Sequence, residues 1–293
     1  MSLESVVTRW TRRVPAFRGW YRLLEPFRRA SAQRWAARDD RWTVLDDFQG
    51  DLRMRVDRGA YMGSLIHWRG IHAAVEAGLL RRFLPPDGVF VDVGANQGEL
   101  TLVGARLAPR GRVVAFEPVP HWHERLVDNV ALNAWSHVTV VRAALADREG
   151  VREMFTGDGG GAEGGANEGL SSLHRGDGRQ RSLGTVEALT LDAYVARTGL
   201  DRLDVLKVDV EGGEHEVLAG ARAVLARFRP VLIVEWSPAV HADVGRDGDA
   251  LLDELRALGY RLHEVNAYGR VRALGPSERP RLETLLALHG ATR

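Results

Sequence analysis

The chain has 293 residues, 45% of them hydrophobic, and a formal net charge of +1. These values are typical of a soluble globular protein with one large domain and a substantial core. The absence of cysteine from the sequence excludes disulfides, thiolate metal sites and cysteine nucleophiles. No apolar run approaches the roughly 18 residues of a membrane span, and no secretory signal is visible, so we expect a cytoplasmic protein.

Residues 1–59 are predicted to form a basic helical arm that ends in a lead-in strand at 51–57. Residues 1–41 hold ten arginines against four acidic residues, and Pro15 and Pro26 are expected to break the arm into short helices. We expect the arm to pack on the main domain or to mediate a homodimer. A basic stretch with aromatic residues can also bind nucleic acid, but the small net charge of the chain argues against it.

Residues 60–293 are predicted to form the main domain, in which apolar strands and amphipathic helices alternate. This order is typical of an α/β protein with a mostly parallel, doubly wound sheet. Strands are predicted at 89–94, 112–117, 138–142, 203–209, 231–235, 260–265 and 270–274. Helices are predicted at 65–84, 98–108, 121–133, 190–198, 214–228 and 248–258. The last two of the seven strands are close enough in sequence to form an antiparallel hairpin at one edge.

A glycine-rich insert occupies residues 157–169. Such a run does not hold regular structure. It follows the third predicted core strand, on the side where ligands bind in sheets of this kind. The insert is therefore interpreted either as a lid over the acceptor or as a flexible insertion without function.

Residues 88–117 form the most informative unit, a buried strand, a tight glycine loop, a helix and a second buried strand with a carboxylate at its end. Gly94 and Gly98 allow the backbone to turn sharply and to approach a ligand. The following helix directs free N–H groups at the loop. Glu117, 23 residues after Gly94, is suited to accept two hydrogen bonds from ribose hydroxyls. The unit predicts a nucleotide cofactor.

The loop itself favours S-adenosylmethionine over a nicotinamide dinucleotide. A dinucleotide-binding loop has the pattern Gly-x-Gly-x-x-Gly, whereas the order from Asp92 is Asp-x-Gly-x-Asn-x-Gly. The carboxylate of Asp92 would repel a pyrophosphate, but it could bind the α-amino group of a methionine moiety. We therefore predict S-adenosylmethionine as the cofactor, with a dinucleotide as the alternative.

A second group of charged residues marks the strand predicted at 203–209. Alternate strand residues share a face, so Lys207, Asp209 and Glu211 point the same way, and Glu235 ends the next strand. Charges in a central parallel strand are costly unless paired, and catalysis in such folds takes place at this end of the sheet. Lys207 is the single lysine among 40 basic residues, which indicates either a role that arginine cannot fill or the chance survival of one codon.

These residues have a structural and a catalytic interpretation. A buried salt bridge of Lys207 with Asp209 or Glu235 would hold two strands together. In methyl transfer to oxygen, a carboxylate close to the acceptor hydroxyl can take its proton. His241, just past the fifth strand, is a further candidate base. Asp209 and Glu235 could also bind Mg²⁺, but the lysine competes for these carboxylates, so we favour a reaction without metal.

Five motifs within residues 60–240 resemble, in this order, the FkbM family of methyltransferases. They read Val-Asp-Val-Gly-Ala-Asn-Gln-Gly, Ala-Phe-Glu-Pro, Ala-Leu-Ala-Asp, Leu-Thr-Leu-Asp and Leu-Lys-Val-Asp-Val-Glu-Gly-Gly-Glu. The resemblance implies a class I S-adenosylmethionine-dependent fold and O-methylation of natural products or glycans. It also implies residue roles: Gly94, Asn96, Gly98 and Thr101 line the methionine side, Glu117 holds the ribose, Asp147 lies near the adenine, and Lys207, Asp209, Glu211 and Glu214 fall on the family's lysine and acidic pattern.

Together these features predict a Rossmann-like, seven-stranded O-methyltransferase with an N-terminal helical extension. The expected acceptor is a hydroxyl of a small natural product, a sugar or a glycan. The alternatives are an N-methyltransferase, an RNA 2′-O-methyltransferase, and a non-catalytic partner protein that binds the cofactor. The arm and the glycine-rich insert lie outside the family's pattern, so the resemblance does not identify the acceptor.

Overall fold

The computed structural model describes residues 3–13, 20–157, 171–176 and 180–290. The strands are β1 Trp42–Phe48, β2 Leu52–Asp57, β3 Val89–Val93, β4 Arg112–Phe116, β5 Val138–Val141, β6 Ala144–Leu145, β7 Gly150–Thr156, β8 Ser171–Ser172, β9 Arg181–Leu189, β10 Val205–Val208, β11 Val231–Glu235, β12 Tyr260–Val265, β13 Val271–Ala273 and β14 Thr284–His289. The helices are α1 Leu3–Arg13, α2 Trp20–Ala36, α3 Tyr61–Arg69, α4 Ala74–Phe83, α5 Glu99–Leu107, α6 Pro120–Ala131, α7 Leu191–Thr198, α8 Glu214–Ala219, α9 Arg222–Phe228, α10 Pro238–Asp243 and α11 Gly248–Ala257.

The central sheet has eight strands in the order β13-β12-β14-β11-β10-β3-β4-β5. Its five strands from β11 to β5 pair in parallel, which confirms the prediction of a mostly parallel sheet. The expected antiparallel pairing of β12 with β13 is also present. The predicted total of seven strands is wrong, because β14 lies antiparallel between β11 and β12. Its buried residues Leu285, Leu286 and Ala287 are not β-branched, so their sequence carries little strand signal.

The parallel strands are valine-rich because they are buried on both faces. All five residues of β3 are buried, and alternate residues contribute to different layers. Val91 and Leu206 belong to one apolar cluster with residues of α7, α8, α9 and α11. Phe90 and Val205 belong to a second cluster with residues of α4 and α5. Helices therefore cover both faces of the sheet, as the doubly wound arrangement requires.

Two predicted helices are each divided in the structure. The stretch predicted at 65–84 becomes α3 and α4, because Gly70 ends α3 in a left-handed conformation with φ of 78°. The stretch predicted at 214–228 becomes α8 and α9, which are separated at Gly220 and Ala221. The first division shapes the site, since the segment between α3 and α4 reaches the cavity described below.

The N-terminal arm packs on α3. Arg12 forms a buried ion pair with Asp47 at 2.8 Å, and the Thr11 hydroxyl donates to the carbonyl oxygen of Trp68 at 2.6 Å. Pro26 lies inside α2 and does not break it as expected, whereas Pro15 lies outside the described residues. Packing against the main domain is thus present, and the homodimer stays a prediction.

A second sheet of four strands, in the order β6-β9-β7-β8, follows β5 and is absent from the sequence prediction. The stretch between β7 and β8 contains the glycine-rich insert, and residues 158–169 lie outside the described part of the chain, so the lid interpretation stays a prediction. None of the described helices combines the length and apolar character needed to cross a membrane.

Candidate active site

A cavity of about 620 Å³ opens at the carboxyl ends of β3, β4, β10 and β11. This is where ligands bind in open α/β sheets. Eight of the twelve predicted site residues line it: Asp92, Gly94, Asn96, Glu117, Lys207, Asp209, Glu211 and Glu235. The two sequence motifs that carry the prediction, one after β3 and one after β10, therefore form one site.

The loop after β3 owes its shape to the neighbouring strand. Gly94 has φ of 74°, and a Cβ there would lie 1.9 Å from the carbonyl oxygen of Asp209. Only glycine therefore fits between the two strand ends. Asn96 also has a positive φ, of 51°, and its backbone N–H donates to Glu117 Oε2 at 2.8 Å. The glycine loop after β3 is thus hydrogen-bonded directly to the carboxylate at the end of β4.

Glu117 lies at the end of β4 and is only 5% exposed. Each of its carboxyl oxygens accepts one backbone N–H, Oε2 from Asn96 at 2.8 Å and Oε1 from Val119 at 2.9 Å. Burial raises the pKa of Glu117 to about 7, although the two N–H groups act in the opposite direction. Each oxygen keeps a further lone pair, which suits a diol that binds through two hydroxyl donors.

An apolar slot lies beside Glu117. Its wall includes Phe116 from β4, Trp122 from α6, Met154 from β7 and Leu173 after β8. These side chains would suit the faces of a flat heterocycle. Met154 lies in the four-stranded sheet and Leu173 directly follows its strand β8. This sheet is not predicted from the sequence, so the place of these two residues in the site could not be foreseen.

Lys207 lies between the two motifs, 5% exposed. Its Nζ is 3.4 Å from Asp92 Oδ1 and 3.4 Å from Asp209 Oδ2, and it donates to the carbonyl oxygens of Gly94 at 2.8 Å and Val93 at 3.2 Å. Burial opposes the charge on Lys207, but the carboxylates of Asp209 and Asp92 outweigh it and raise its pKa above the ordinary value. Lys207 is therefore a permanent cation that holds both strand ends, and it is not a base.

Asp209, Glu211 and Glu235 form a carboxylate cluster beside Lys207, with one oxygen of each within 4.8 Å of the others. Burial and the charges of Asp209 and Glu211 raise the pKa of Glu235 well above its ordinary value, because each of them disfavours the ionised form of this carboxyl group. The oxygens match the ligand type that Mg²⁺ prefers. However, the ion pair of Asp209 with Lys207 favours the interpretation without metal.

Glu214 and His241 lie behind this cluster. Glu214 accepts the backbone N–H groups of Val210 at 3.0 Å and Gly212 at 3.1 Å, which holds the turn that carries Glu211 at φ of 58°. His241 Nε2 is 3.1 Å from Glu214 Oε2, and the histidine is 1% exposed. The prediction of His241 as a base in the cleft is therefore corrected, because its ring contacts Glu214 instead of the cavity.

Three predicted cofactor contacts also lie away from the cavity wall. A Cβ at Gly98 would lie 2.5 Å from Leu126, so this glycine permits close packing of α5 against α6. Thr101 is fully buried and donates to Asp92 Oδ2 at 2.6 Å, which positions the partner of Lys207. Asp147 is 40% exposed and pairs with Arg152 at 3.4 Å. The structure thus shows packing, positioning and surface pairing for these three residues, and a contact of any of them with the cofactor stays a prediction.

A further part of the cavity wall is not predicted from the sequence, and it includes Tyr61, His72, Glu76, Glu99 and Thr284. Glu99 directly follows the glycine loop, so its position in the motif was a usable signal. Glu76 and Thr284 are 208 residues apart in sequence yet hydrogen-bonded, Thr284 Oγ1 to Glu76 Oε1 at 2.7 Å. No local pattern predicts such a pairing.

Comparison with known proteins identifies the family. The sequence profile described as the methyltransferase FkbM domain matches residues 92–262. The chain belongs to the FkbM methyltransferase family. The resemblance predicted from the five motifs is thus confirmed, and the profile covers both motifs of the cavity.

Three curated relatives align with parts of the FkbM chain. It is 34% identical over 208 residues to the AMB antimetabolite synthetase AmbE of Pseudomonas aeruginosa, an alignment that covers 61% of this chain and 10% of AmbE. It is 31% identical over 179 residues to the methyltransferase sdnD of Sordaria araneosa, covering 53% and 69% of the two chains. It is 28% identical over 155 residues to the 2-O-methyltransferase NoeI of Sinorhizobium fredii, covering 49% and 61%. The aligned part of the chain thus spans 10% of the length of AmbE, 69% of sdnD and 61% of NoeI.

Proposed function

We propose that this protein transfers the methyl group of S-adenosylmethionine to a hydroxyl of a small natural product, a sugar or a glycan. The observation that carries the proposal is the position of Asp209, whose side chain is 43% exposed at the cavity and bonded on one side to Lys207. Of the two carboxylates paired with Lys207, Asp209 is the accessible one, because Asp92 is fully buried. The family and the 2-O-methyltransferase NoeI among its relatives support transfer to oxygen.

The donor end of the cavity suits an adenosine. Glu117 would accept hydrogen bonds from the two ribose hydroxyls, and the slot of Phe116, Trp122, Met154 and Leu173 would take the adenine. When bound, S-adenosylmethionine supplies a methyl group on a positively charged sulfur. The carboxylates of Asp92 and Asp209 favour that positive charge, and they would repel the pyrophosphate of a dinucleotide.

The reaction needs one proton acceptor. The acceptor oxygen forms a bond to the methyl carbon, the carbon–sulfur bond breaks with its electron pair left on sulfur, and the hydroxyl proton passes to Asp209. Lys207 holds this carboxylate in place through the ion pair at 3.4 Å, so Asp209 is oriented before the acceptor binds. Such positioned proton transfer contributes about 10²–10⁴ to a rate.

The binding step is tested first. Calorimetric titration of the purified protein with S-adenosylmethionine and, separately, with NAD is expected to give saturable binding of the first alone. Glu117→Ala should weaken that binding. Saturable binding of NAD, or of neither compound, would contradict the proposal. Formation of S-adenosylhomocysteine from a panel of hydroxyl compounds, measured with and without Mg²⁺, then tests the reaction itself.

A further inference from the structure

Acidic side chains far outnumber basic side chains in the cavity wall. Eight carboxylic side chains line the cavity, against Lys207 and His72 as the basic residues. The chain has 39 arginines and one lysine, yet none of the arginines in the described part of the chain lines the cavity. The charge of Lys207 is already balanced by Asp92 and Asp209. The remaining wall is therefore acidic.

Much of this excess lies away from the donor end. Glu235 ends β11, and Thr284 pairs with it at the start of β14, where Glu283 and Glu76 also line the cavity. β14 is four strands from β4 in the sheet, and strands are about 4.8 Å apart, so Thr284 lies roughly 19 Å from Glu117. We call Glu76, Glu99, Glu235, Glu283 and Thr284 the acceptor end.

Glu99 gives a second and independent indication of a ligand. It is 4% exposed, and its Oε1 accepts the backbone N–H groups of His72 at 2.6 Å and Ala73 at 3.1 Å. Its Oε2 is buried without a hydrogen-bond partner among the described residues, and the nearest basic atom, His72 Nδ1, is 3.7 Å away. A buried carboxyl oxygen that lacks a donor is costly, and a donor from the cavity would satisfy it.

We propose that the acceptor is a hydroxyl compound that carries a protonated amine, and that Glu99 and Glu76 bind this ammonium while Asp209 takes the hydroxyl proton. This inference rests on the proposed methyl transfer. An ammonium has three donors and a positive charge, so it satisfies Glu99 Oε2 and offsets the acidic wall. Phosphorylated or carboxylated acceptors would meet like charge, and among the described residues of the cavity wall they would find no cation that lacks an acidic partner. A neutral polyol would leave the excess of charge uncompensated.

The test compares pools of hydroxyl compounds. The probes are free amino sugars, aminocyclitols and amino alcohols, the same compounds after N-acetylation, and sugar acids, each incubated with S-adenosylmethionine. Formation of S-adenosylhomocysteine is expected with the free amines and not with the other pools. Turnover of the acetylated or acidic pool overturns the inference, as does absence of turnover with the amines when S-adenosylmethionine binds saturably. Failure of S-adenosylmethionine to bind contradicts the proposed function instead.

Variants then locate the ammonium. Glu99→Gln and Glu76→Gln are expected to raise the KM of an active amine by about tenfold or more, because each loses a charge-assisted hydrogen bond. The Kd of S-adenosylmethionine should stay within about twofold. Glu283→Gln, at an exposed residue, provides a variant that does not disturb the buried contacts, and it should raise the KM less. Asp253→Asn, 77% exposed and away from the cavity, is the matched control. An unchanged KM in both Glu99→Gln and Glu76→Gln overturns the assignment.

Discussion

Glu214 and His241 form a buried pair in which His241 Nε2 lies 3.1 Å from Glu214 Oε2 and both side chains are 1% exposed. A carboxylate only accepts hydrogen bonds, so the Nε2 atom carries the hydrogen. The other Glu214 contacts are with the turn at Val210 and Gly212. The histidine therefore stabilises the turn that carries Glu211, although it does not reach the cavity itself.

We expect His241→Leu to lower the free energy of unfolding by about 1–3 kcal/mol, because Glu214 loses a buried donor. His241→Gln keeps a donor and should recover much of this loss. Urea unfolding measures both variants. The pH profile of kcat in His241→Gln should keep the shape seen in the native protein. If the variant instead loses a limb of the kcat profile between pH 6 and 7, roughly the range in which histidine ordinarily titrates, His241 acts as a base.

Lys207 should be essential for stability as well as for positioning. Lys207→Met would leave Asp92 buried and unpaired, at a cost of about 3–5 kcal/mol in the free energy of unfolding. Lys207→Arg should cost about 1–3 kcal/mol, because the larger group must fit into a packed site. The double variant Asp92→Asn, Lys207→Met should be more stable than Lys207→Met alone. If Lys207→Arg matches the native protein in stability and turnover, the single lysine is explained by the chance survival of one codon.

Asp209→Asn should separate binding from turnover. The amide cannot accept the hydroxyl proton, so kcat should fall by about 10²–10⁴. The Kd of S-adenosylmethionine should rise far less, because Glu117, the apolar slot and the Asp92 carboxylate are unaltered. Calorimetry and an assay for S-adenosylhomocysteine measure the two quantities, with Asp253→Asn as the control. Full activity of Asp209→Asn would refute the assignment of Asp209 as the proton acceptor.

Glu117 should make cofactor binding depend on pH. Its pKa of about 7 in the folded protein means that the carboxyl group becomes protonated as the pH falls through 7, and it then offers less acceptor capacity to a ribose. Affinity for S-adenosylmethionine should therefore be lower at pH 6 than at pH 8.

The same linkage predicts that binding releases protons near pH 7, since a ligand that prefers the carboxylate lowers its pKa. Calorimetry at pH 7 in two buffers with different ionisation enthalpies measures this release. Glu117→Gln should abolish it and flatten the pH dependence. Equal affinity at both pH values together with no proton release in the native protein would contradict this role.

The sequence predicts those site residues whose position follows from strand alternation. Lys207 and Asp209 share a face of one valine-rich strand, so their convergence at its end is a local property. Glu76 depends on how α4 packs over the sheet, and Thr284 on a strand that lies 208 residues further along the chain. His241 is close to β11 in sequence, but its helix directs the ring to Glu214. Proximity to a motif therefore does not establish contact with the cavity.

The position of β14 has a consequence for synthesis of the chain. β11 and β12 both pair with β14, and not with each other, so a ribosome completes both partners before residues 284–289 exist. Until then one edge of β11 and one edge of β12 lack the strand that pairs with both of them in the finished sheet. Unpaired strand edges attract other chains, and slow, long-range pairing prolongs that exposure. β14 thus closes the sheet from within, and chains cut before it are expected to aggregate.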